Sequence, residues 1–323
     1  MEHKRTAEAA DRLAARLPRD CRVRVVVDRV EPEINCGRFP IKRTVGETVR
    51  VTTDMLADGQ DLLAGVVKYR HLESDMAGAW IEVPLITLGN DAWEARFTVD
   101  RLGQWEYTVE GWVDRFGSWL KSLIAKAEAG QDVSSELLEG AELVEKAAGR
   151  PKGSPRLSEI AQKLRSDLPQ RARVAAARDP ELRALMDARP DRSQSTTYEH
   201  TLRIVVDPVV ALYGSWYEMF PRSCSPDPSR SGTLREAEAR LPEVAEMGFD
   251  VLYLPPVHPI GRTNRKGRNN SLIATPADPG SPWAIGAEEG GHTAIDPGLG
   301  TIEDFDRFVR IANRLGLQMA IWA

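Results

Sequence analysis

The spacing of apolar residues changes twice along the chain, and each change limits the fold. From Cys21 to about residue 115, apolar and polar residues alternate, which is typical of β-strands with one buried face. From Phe116 to Arg189 the apolar residues recur at helical spacing, and from Gly214 strand-like runs alternate with helix-like runs. Three patterns in one chain predict several domains, which 323 residues can accommodate at roughly 150 residues per domain.

The first region consists of short strand-like runs separated by turn residues, such as ADGQD at 57–61 and GND at 89–91. Runs of this length predict an antiparallel, immunoglobulin-like β-sandwich over residues 21–115, with a return strand at 198–208. One of the runs is AWIEVPLITL at 79–88. The tryptophans of this region could stack on sugars, but packing in the core or at a domain interface is favoured.

Residues 116–190 are expected to form a helical insertion in this sandwich. Asp132 is expected to cap a helix with an apolar stripe through Val133, Leu137 and Ala141. Such a stripe needs a partner, which would be either the sandwich itself or a second copy of the chain, so the insertion is a possible dimerisation element. A helical tail is predicted for residues 1–20, without an assigned function.

Residues 211–323 show the order strand, helix, strand, helix, strand, which predicts a parallel α/β domain. Thr233 and Thr301 are expected helix caps, and Val251–Leu254 is an expected buried strand. A closed (β/α)₈ TIM barrel needs about 250 residues, whereas residues 214–323 number only 110. The prediction is therefore an incomplete barrel, the N-terminal part of a longer polypeptide.

The segment between the second strand and the next helix, residues 258–301, is called the long loop below. It follows the carboxyl end of a strand, where barrel enzymes build their active sites. Positive side chains and asparagines alternate with glycines in GRTNRKGRNN at 261–270. Cations suit a phosphate and amides suit sugar hydroxyls, so a site for a phosphorylated, hydroxylated ligand is predicted, with a solvated basic loop or an RNA-contacting patch as the alternatives. His258 and His292 are expected to be structural or to contact substrate rather than to bind a metal.

The composition limits which binding partners and which cellular location are expected. A formal net charge of −5 argues against broad binding of nucleic acid or of an anionic membrane. The three cysteines, Cys21, Cys36 and Cys224, form no CxxC pair, so neither a disulfide framework nor a zinc site is expected. The N-terminus lacks an apolar signal region and no apolar stretch is long enough to span a bilayer, so the expected location is cytoplasmic.

Several long strings resemble one enzyme family. YEMFPRS at 217–223, GFDVLYLPPVHPIGRTNRKGRNN at 248–270, DPGSPWAIG at 278–286 and GGHTAIDPGLGTIEDF at 290–305 are similar to the bacterial α-1,4-glucan:maltose-1-phosphate maltosyltransferases of the α-amylase superfamily. Similar strings occur upstream, so the resemblance covers most of the chain. One departure is Trp322, which stands where the third strand of the family carries Asp.

The resemblance implies a homodimeric, retaining enzyme that moves a maltosyl unit from α-maltose 1-phosphate to the non-reducing end of an α-1,4-glucan and releases phosphate. It implies no cofactor and no metal. Lys266 matches the family's lysine that contacts the donor, and Asn270 matches the asparagine at the sugar site. The catalytic carboxylates of the family belong to later barrel strands, so no catalytic residue is assigned here and the 323 residues are expected to be inactive alone.

Two other functions are compatible with these patterns. The first is another α-amylase superfamily enzyme, such as a branching or trehalose-related enzyme, although those do not need a phosphate pocket. The second is a noncatalytic glucan-binding or dimerisation module, in which the sandwich and the helical insertion would be the functional parts.

Overall fold

The computed structural model describes residues 23–72, 79–150 and 154–322. It consists of mixed β-sheets with helices and divides into two compact units between Asp207 and Pro208. The predicted helical tail at 1–20 and Cys21 lie outside the described residues. No helix in the described part of the chain is long and apolar enough to cross a membrane.

The described strands of the first unit form two sheets. One sheet has the order β1-β3-β7-β6, and the other has the order β2-β10-β8-β4-β5, with β9 paired to β8. Among these strands every pair is antiparallel except β2 with β10, which is parallel. The strands are β1 (Val26–Glu31), β2 (Ile41–Thr44), β3 (Thr48–Leu56), β4 (Leu63–His71), β5 (Ile81–Pro84), β6 (Ile86–Gly89), β7 (Ala92–Thr98), β8 (Gly103–Val113), β9 (Thr196–Thr197) and β10 (Leu202–Asp207).

The two sheets share one hydrophobic core. Along β3, Val49, Val51 and Met55 are buried and alternate with more exposed residues, because successive side chains of a strand point to opposite faces. Residues of the other sheet, among them Tyr107 and Ile204, belong to the same cluster. Alternating apolar residues in both sheets thus produce a single core between them.

The run AWIEVPLITL forms two strands rather than one. β5 pairs with β4 in one sheet, whereas β6 pairs with β7 in the other. Leu85, between them, is buried and donates its backbone N–H to the carbonyl of Gly65 at 2.9 Å. The chain therefore passes from one sheet to the other at this residue.

The tryptophans of the first unit serve its packing. Trp105, Trp112 and Trp119 are buried, and the guanidinium of Arg70 covers the ring of Trp80 at 4.4 Å. The remaining tryptophan of the described residues in this unit, Trp93, is half-buried against the core. These positions agree with packing, the role that the sequence favoured over sugar stacking.

Within the described residues, five α-helices lie between β8 and β9, and they bury their apolar stripes against one another. Leu137 of the second helix is fully buried in a cluster with leucines from three other helices. The helices are α1 (Arg115–Glu128), α2 (Ser134–Ala148), α3 (Pro155–Arg165), α4 (Gln170–Ala177) and α5 (Pro180–Asp187).

The cap expected at the start of α2 is wrong by one residue. Val133, and not Asp132, occupies the N-cap position. The Asp132 carboxylate instead accepts hydrogen bonds from the backbone and the hydroxyl of Ser134, at 3.0 and 2.6 Å. Asp132 therefore still holds the first turn of the helix, but from one position further out.

The second unit has a parallel sheet in the order β11-β12-β13. Thr233 and Thr301 both form capping boxes, with Glu236 and Asp304 respectively, so each helix start follows from its sequence. Helix α8 packs Phe308 into the core. The elements are β11 (Trp216–Glu218), α6 (Leu234–Ala237), α7 (Leu241–Glu246), β12 (Val251–Leu254), α8 (Ile302–Arg314) and β13 (Gln318–Ile321).

Candidate functional site

The long loop leaves the carboxyl end of β12 and returns to the start of α8. Its two ends are joined, since the backbone N–H of Asp296 donates to the carbonyl of Val257 at 2.8 Å. A second connection further along runs from the Gly286 N–H to the Pro259 carbonyl at 2.9 Å. The loop is thus closed at its base by main-chain hydrogen bonds, which satisfy backbone groups that would otherwise need water.

Arg222 contacts one residue just before the long loop and one near its end. Its guanidinium donates to the carbonyl of Pro256 at 3.4 Å and lies 3.3 Å from the Asp296 carboxylate. Burial lowers the pKa of Arg222, and the Asp296 carboxylate partly offsets this effect. Sequence reasoning did not single out Arg222, although its position shortly after β11, in FPRS, was a signal that could have found it.

The four cations of the loop have different surroundings. Arg262 is paired with the carboxylate of Glu289, and the guanidinium of Arg268 lies 3.7 Å from the carboxylate of Asp278. Arg265 donates to three backbone carbonyls. Lys266 makes no hydrogen bond or ion pair with any residue that the structure describes.

Lys266 and Asn270 lie in one tight turn. Gly267 follows Lys266 and precedes the turn Arg268–Asn270, and its N–H donates to the carbonyl of Ser271 at 2.9 Å. Lys266 is half-buried, whereas Asn270 is exposed and has a φ of +60°. The two predicted site residues thus lie four positions apart in the chain, and they do not bond to each other in the part that the structure describes.

A cavity of about 790 Å³ lies beside this turn. Three arginines and three carboxylates line it, but Lys266 and Asn270 do not. The three positive and three negative groups balance, so the formal charge of the cavity lining is close to zero. The charged lining consists of Arg222, Arg262, Arg265, Asp278, Glu289 and Asp296.

The two histidines lie side by side, with ring centroids 5.6 Å apart. His258 is buried and its Nδ1 is 3.0 Å from the carbonyl oxygen of Ala294, whereas His292 is exposed. Among residues 23–72, 79–150 and 154–322, no group of three or more His, Cys, Asp or Glu side chains has a geometry that could hold a metal ion.

The acidic residues near the strands occupy separate places. Asp250 precedes β12 and accepts hydrogen bonds from the backbone and the hydroxyl of Ser215, at 2.7 and 3.0 Å. Asp207 faces Lys42 in the first unit, and Asp296 is paired with Arg222. These contacts give each carboxylate a structural partner, and no acid and nucleophile pair is assigned among them.

Comparison with known proteins identifies the family. A family model described as "Alpha-1,4-glucan:maltose-1-phosphate maltosyltransferase, domain N/S" matches residues 23–208. Proteins named α-1,4-glucan:maltose-1-phosphate maltosyltransferase are 46% identical over 94% of this chain in Chlorobaculum tepidum and 45% identical over 92% in Myxococcus xanthus. The relative of that name in Mycobacterium tuberculosis is 41% identical over 92% of the chain.

The names of these relatives all describe enzymes that transfer a glycosyl group. The chain belongs to the α-1,4-glucan:maltose-1-phosphate maltosyltransferase family. It spans about half the length of the curated relatives it matches: 45% of the Chlorobaculum protein, 46% of the Myxococcus protein and 47% of the Mycobacterium protein. Among solved structures, an alpha-amylase from Lactobacillus plantarum is 30% identical over 33% of this chain and 21% of its own, with a TM-score of 0.26.

Proposed function

We propose that this chain is part of a retaining enzyme that transfers maltosyl units from α-maltose 1-phosphate to the non-reducing end of an α-1,4-glucan. Phosphate is the leaving group. The family membership of the chain and the names of its relatives support both substrates. Within this proposal, Lys266 contacts the donor and Asn270 lies at the sugar site.

The observation that carries the proposal is that Lys266, in the long loop, has no hydrogen-bond or ion-pair partner among the described residues. The three neighbouring arginines are engaged with carboxylates or carbonyls, whereas Lys266 has no such partner among the described residues. An ammonium group that no protein oxygen neutralises is available to a phosphate. Such a charge also stabilises a departing phosphate, so it would act during the reaction as well as in binding.

Retention requires two carboxylates about 5 to 5.5 Å apart, one attacking the anomeric carbon and the other acting as acid and then as base. The resemblance assigns both to later barrel strands than β11, β12 and β13. The 323 residues alone are therefore proposed to bind the donor without turning it over. The proposal includes no cofactor and no metal.

The finer architecture is also part of the proposal. The first unit would be an immunoglobulin-like sandwich over 21–115 with its return strand at 198–208, and residues 116–190 would be an insertion that contributes to a homodimer. Residues 211–323 would be the opening part of a (β/α)₈ barrel, for which the parallel order β11-β12-β13 is the supporting observation. The proposed location is the cytoplasm, without nucleic-acid or membrane partners.

Calorimetric titration tests the proposal. We expect the 323-residue chain to bind α-maltose 1-phosphate more tightly than maltose, because only the former carries the phosphate. Lys266→Ala should reduce this difference by about tenfold or more, since a charged hydrogen bond of roughly 1.5–3 kcal/mol is lost. Lys121→Ala, at an exposed position in the first unit, is the control.

Two results would overturn the proposal. The first is equal affinity for α-maltose 1-phosphate and maltose, because the predicted phosphate contact would then be absent. The second concerns inactivity: release of phosphate by the 323 residues in the presence of a maltooligosaccharide would show that the carboxylates of later strands are not needed.

A further inference from the structure

We infer that Arg265 is a positioning residue that holds Lys266 toward its ligand. This inference rests on the proposed function of Lys266. The guanidinium of Arg265 donates to the carbonyls of Ile260 at 2.8 Å, Gly261 at 3.1 Å and Asp278 at 3.1 Å. Its donors therefore join residues 260–261, on the outgoing arm of the long loop, to Asp278, on the returning arm. They are not free to bind a ligand.

The chain makes room for this arrangement at Gly280. That residue has a φ of +75°, and a Cβ there would lie 2.9 Å from Cγ2 of Ile260, 3.1 Å from Cγ of Arg265 and 3.2 Å from Nε of Arg265. The absence of a side chain at position 280 lets the stem of Arg265 pass close to the backbone. The backbone at Gly280 thus packs against both Ile260 and Arg265.

The other side of Lys266 is fixed as well. A Cβ on Gly267 would lie 2.2 Å from the carbonyl oxygen of Ile273, so the backbone of a later segment of the loop lies directly against this glycine. Lys266 therefore stands between two anchored residues, Arg265 through its side chain and Gly267 through its backbone. A flexible lysine side chain benefits from a fixed backbone, because less conformational freedom is lost when it binds.

Arginine is required for this role by its geometry. Its planar guanidinium presents five N–H donors in fixed directions, so it can serve three carbonyls at once. Lysine carries the same charge but cannot reproduce these directions. Arg265→Lys should therefore recover only part of what Arg265→Gln loses.

The test measures ligand affinity and loop protection in the same 323-residue chain. Arg265→Gln should lower the affinity for α-maltose 1-phosphate by about fivefold or more and speed hydrogen exchange of the amides of Gly261, Gly267 and Gly286. Arg268→Gln removes the same charge from the same turn, but its side chain is 80% exposed. Arg268→Gln should change neither the affinity for α-maltose 1-phosphate nor the exchange rates of these amides by more than about twofold.

A double-mutant cycle separates positioning from a general loss of structure. If Arg265 acts through Lys266, Lys266→Ala should weaken binding less in the Arg265→Gln background than in the unaltered chain. Unchanged exchange in peptides of β11, β12 and α8, which belong to the same unit as Arg265, confirms that the variant is folded there.

The failures of the two proposals are distinguishable. If the unaltered chain does not prefer α-maltose 1-phosphate over maltose, the proposed function fails, and the exchange of the loop amides still decides whether Arg265 anchors the loop. If Lys266→Ala weakens binding while Arg265→Gln leaves affinity or loop exchange unchanged, the positioning role of Arg265 is overturned. Additive effects in the cycle also overturn it.

Discussion

The helical segment of the first unit and the long loop of the second are held in different ways. In α1–α5, leucines and alanines fill a common core. In the long loop, side chains such as Arg265 and Asp278 bond to the backbone, and few large apolar residues are buried. Apolar burial stabilises without regard to direction, whereas hydrogen bonds fix particular atoms in place. A loop that must present a lysine at a defined position therefore depends on the second kind of contact.

The largest expected effect tests the apolar side of this comparison. Leu137→Ala should lower the free energy of unfolding by about 2–5 kcal/mol, because a fully buried side chain leaves a cavity. The adjacent Leu138 is 55% exposed, and Leu138→Ala should stay within about 0.5 kcal/mol. Urea unfolding measures both. Equal losses would show that the helical core is not where the stability lies.

The next effect concerns the closeness of that packing. A Cβ on Gly140 would lie 1.8 Å from the ring of Trp119, so Gly140→Ala forces the indole or the helix to move. We expect a loss of about 1–3 kcal/mol in the free energy of unfolding. Gly149→Ala is the matched variant, since its nearest neighbour would be 3.8 Å away and its φ of −76° suits alanine. If both variants unfold at the same urea concentration, the helices are packed more loosely than described.

A smaller effect is expected from a single directed hydrogen bond in the second unit. Thr233→Ala removes the hydroxyl that caps α6 and should cost about 1 kcal/mol, whereas Thr233→Ser should retain most of the stability. Thermal unfolding of the three proteins measures the difference. A Ser variant as unstable as the Ala variant would indicate that the threonine methyl group, and not the cap, is responsible.

The smallest effect is local and depends on pH. Hydrogen bonds from the backbone and hydroxyl of Thr275 lower the pKa of Asp278, with a further contribution from Arg268. Because the folded pKa lies below the unfolded value of about 3.9, the stabilisation is present above that pH and is lost as the pH falls through the folded value. Loop amides should exchange more slowly in the unaltered chain than in Asp278→Asn at about pH 7, and this difference should shrink toward about pH 3. A difference that does not depend on pH would contradict a role for the carboxylate charge.

The sequence predicted those elements whose signals are local. The strand Val251–Leu254 and the cap at Thr301 were predicted at the observed residues, because an apolar run and a threonine three residues before an acid are sufficient. The division of AWIEVPLITL between two sheets was not predicted, since alternation along a strand does not identify its neighbour. The cap at Asp132 was wrong because aspartate can also bond to the residue two positions later.

The sequence predicted which charged residues form the candidate site, but it did not predict which of them are paired with other protein groups. The cluster of cations after β12 can be recognised directly in the sequence. The sequence does not show which of these cations lacks a partner among the described residues. That depends on the path of the returning arm, which brings the carbonyl of Asp278 to Arg265 and the carboxylate of Glu289 to Arg262. These contacts join residues 13 and 27 positions apart, so no local pattern encodes them.

The passage of the chain through Leu85 has a mechanical consequence. Since β5 and β6 belong to opposite sheets, a covalent bridge of one residue links the two layers at that edge. Sliding of one layer over the other would have to pull Leu85 out of the core and break its bond to Gly65. Under shear, this short crossing couples the two layers, and the strands on either side of it are expected to move together.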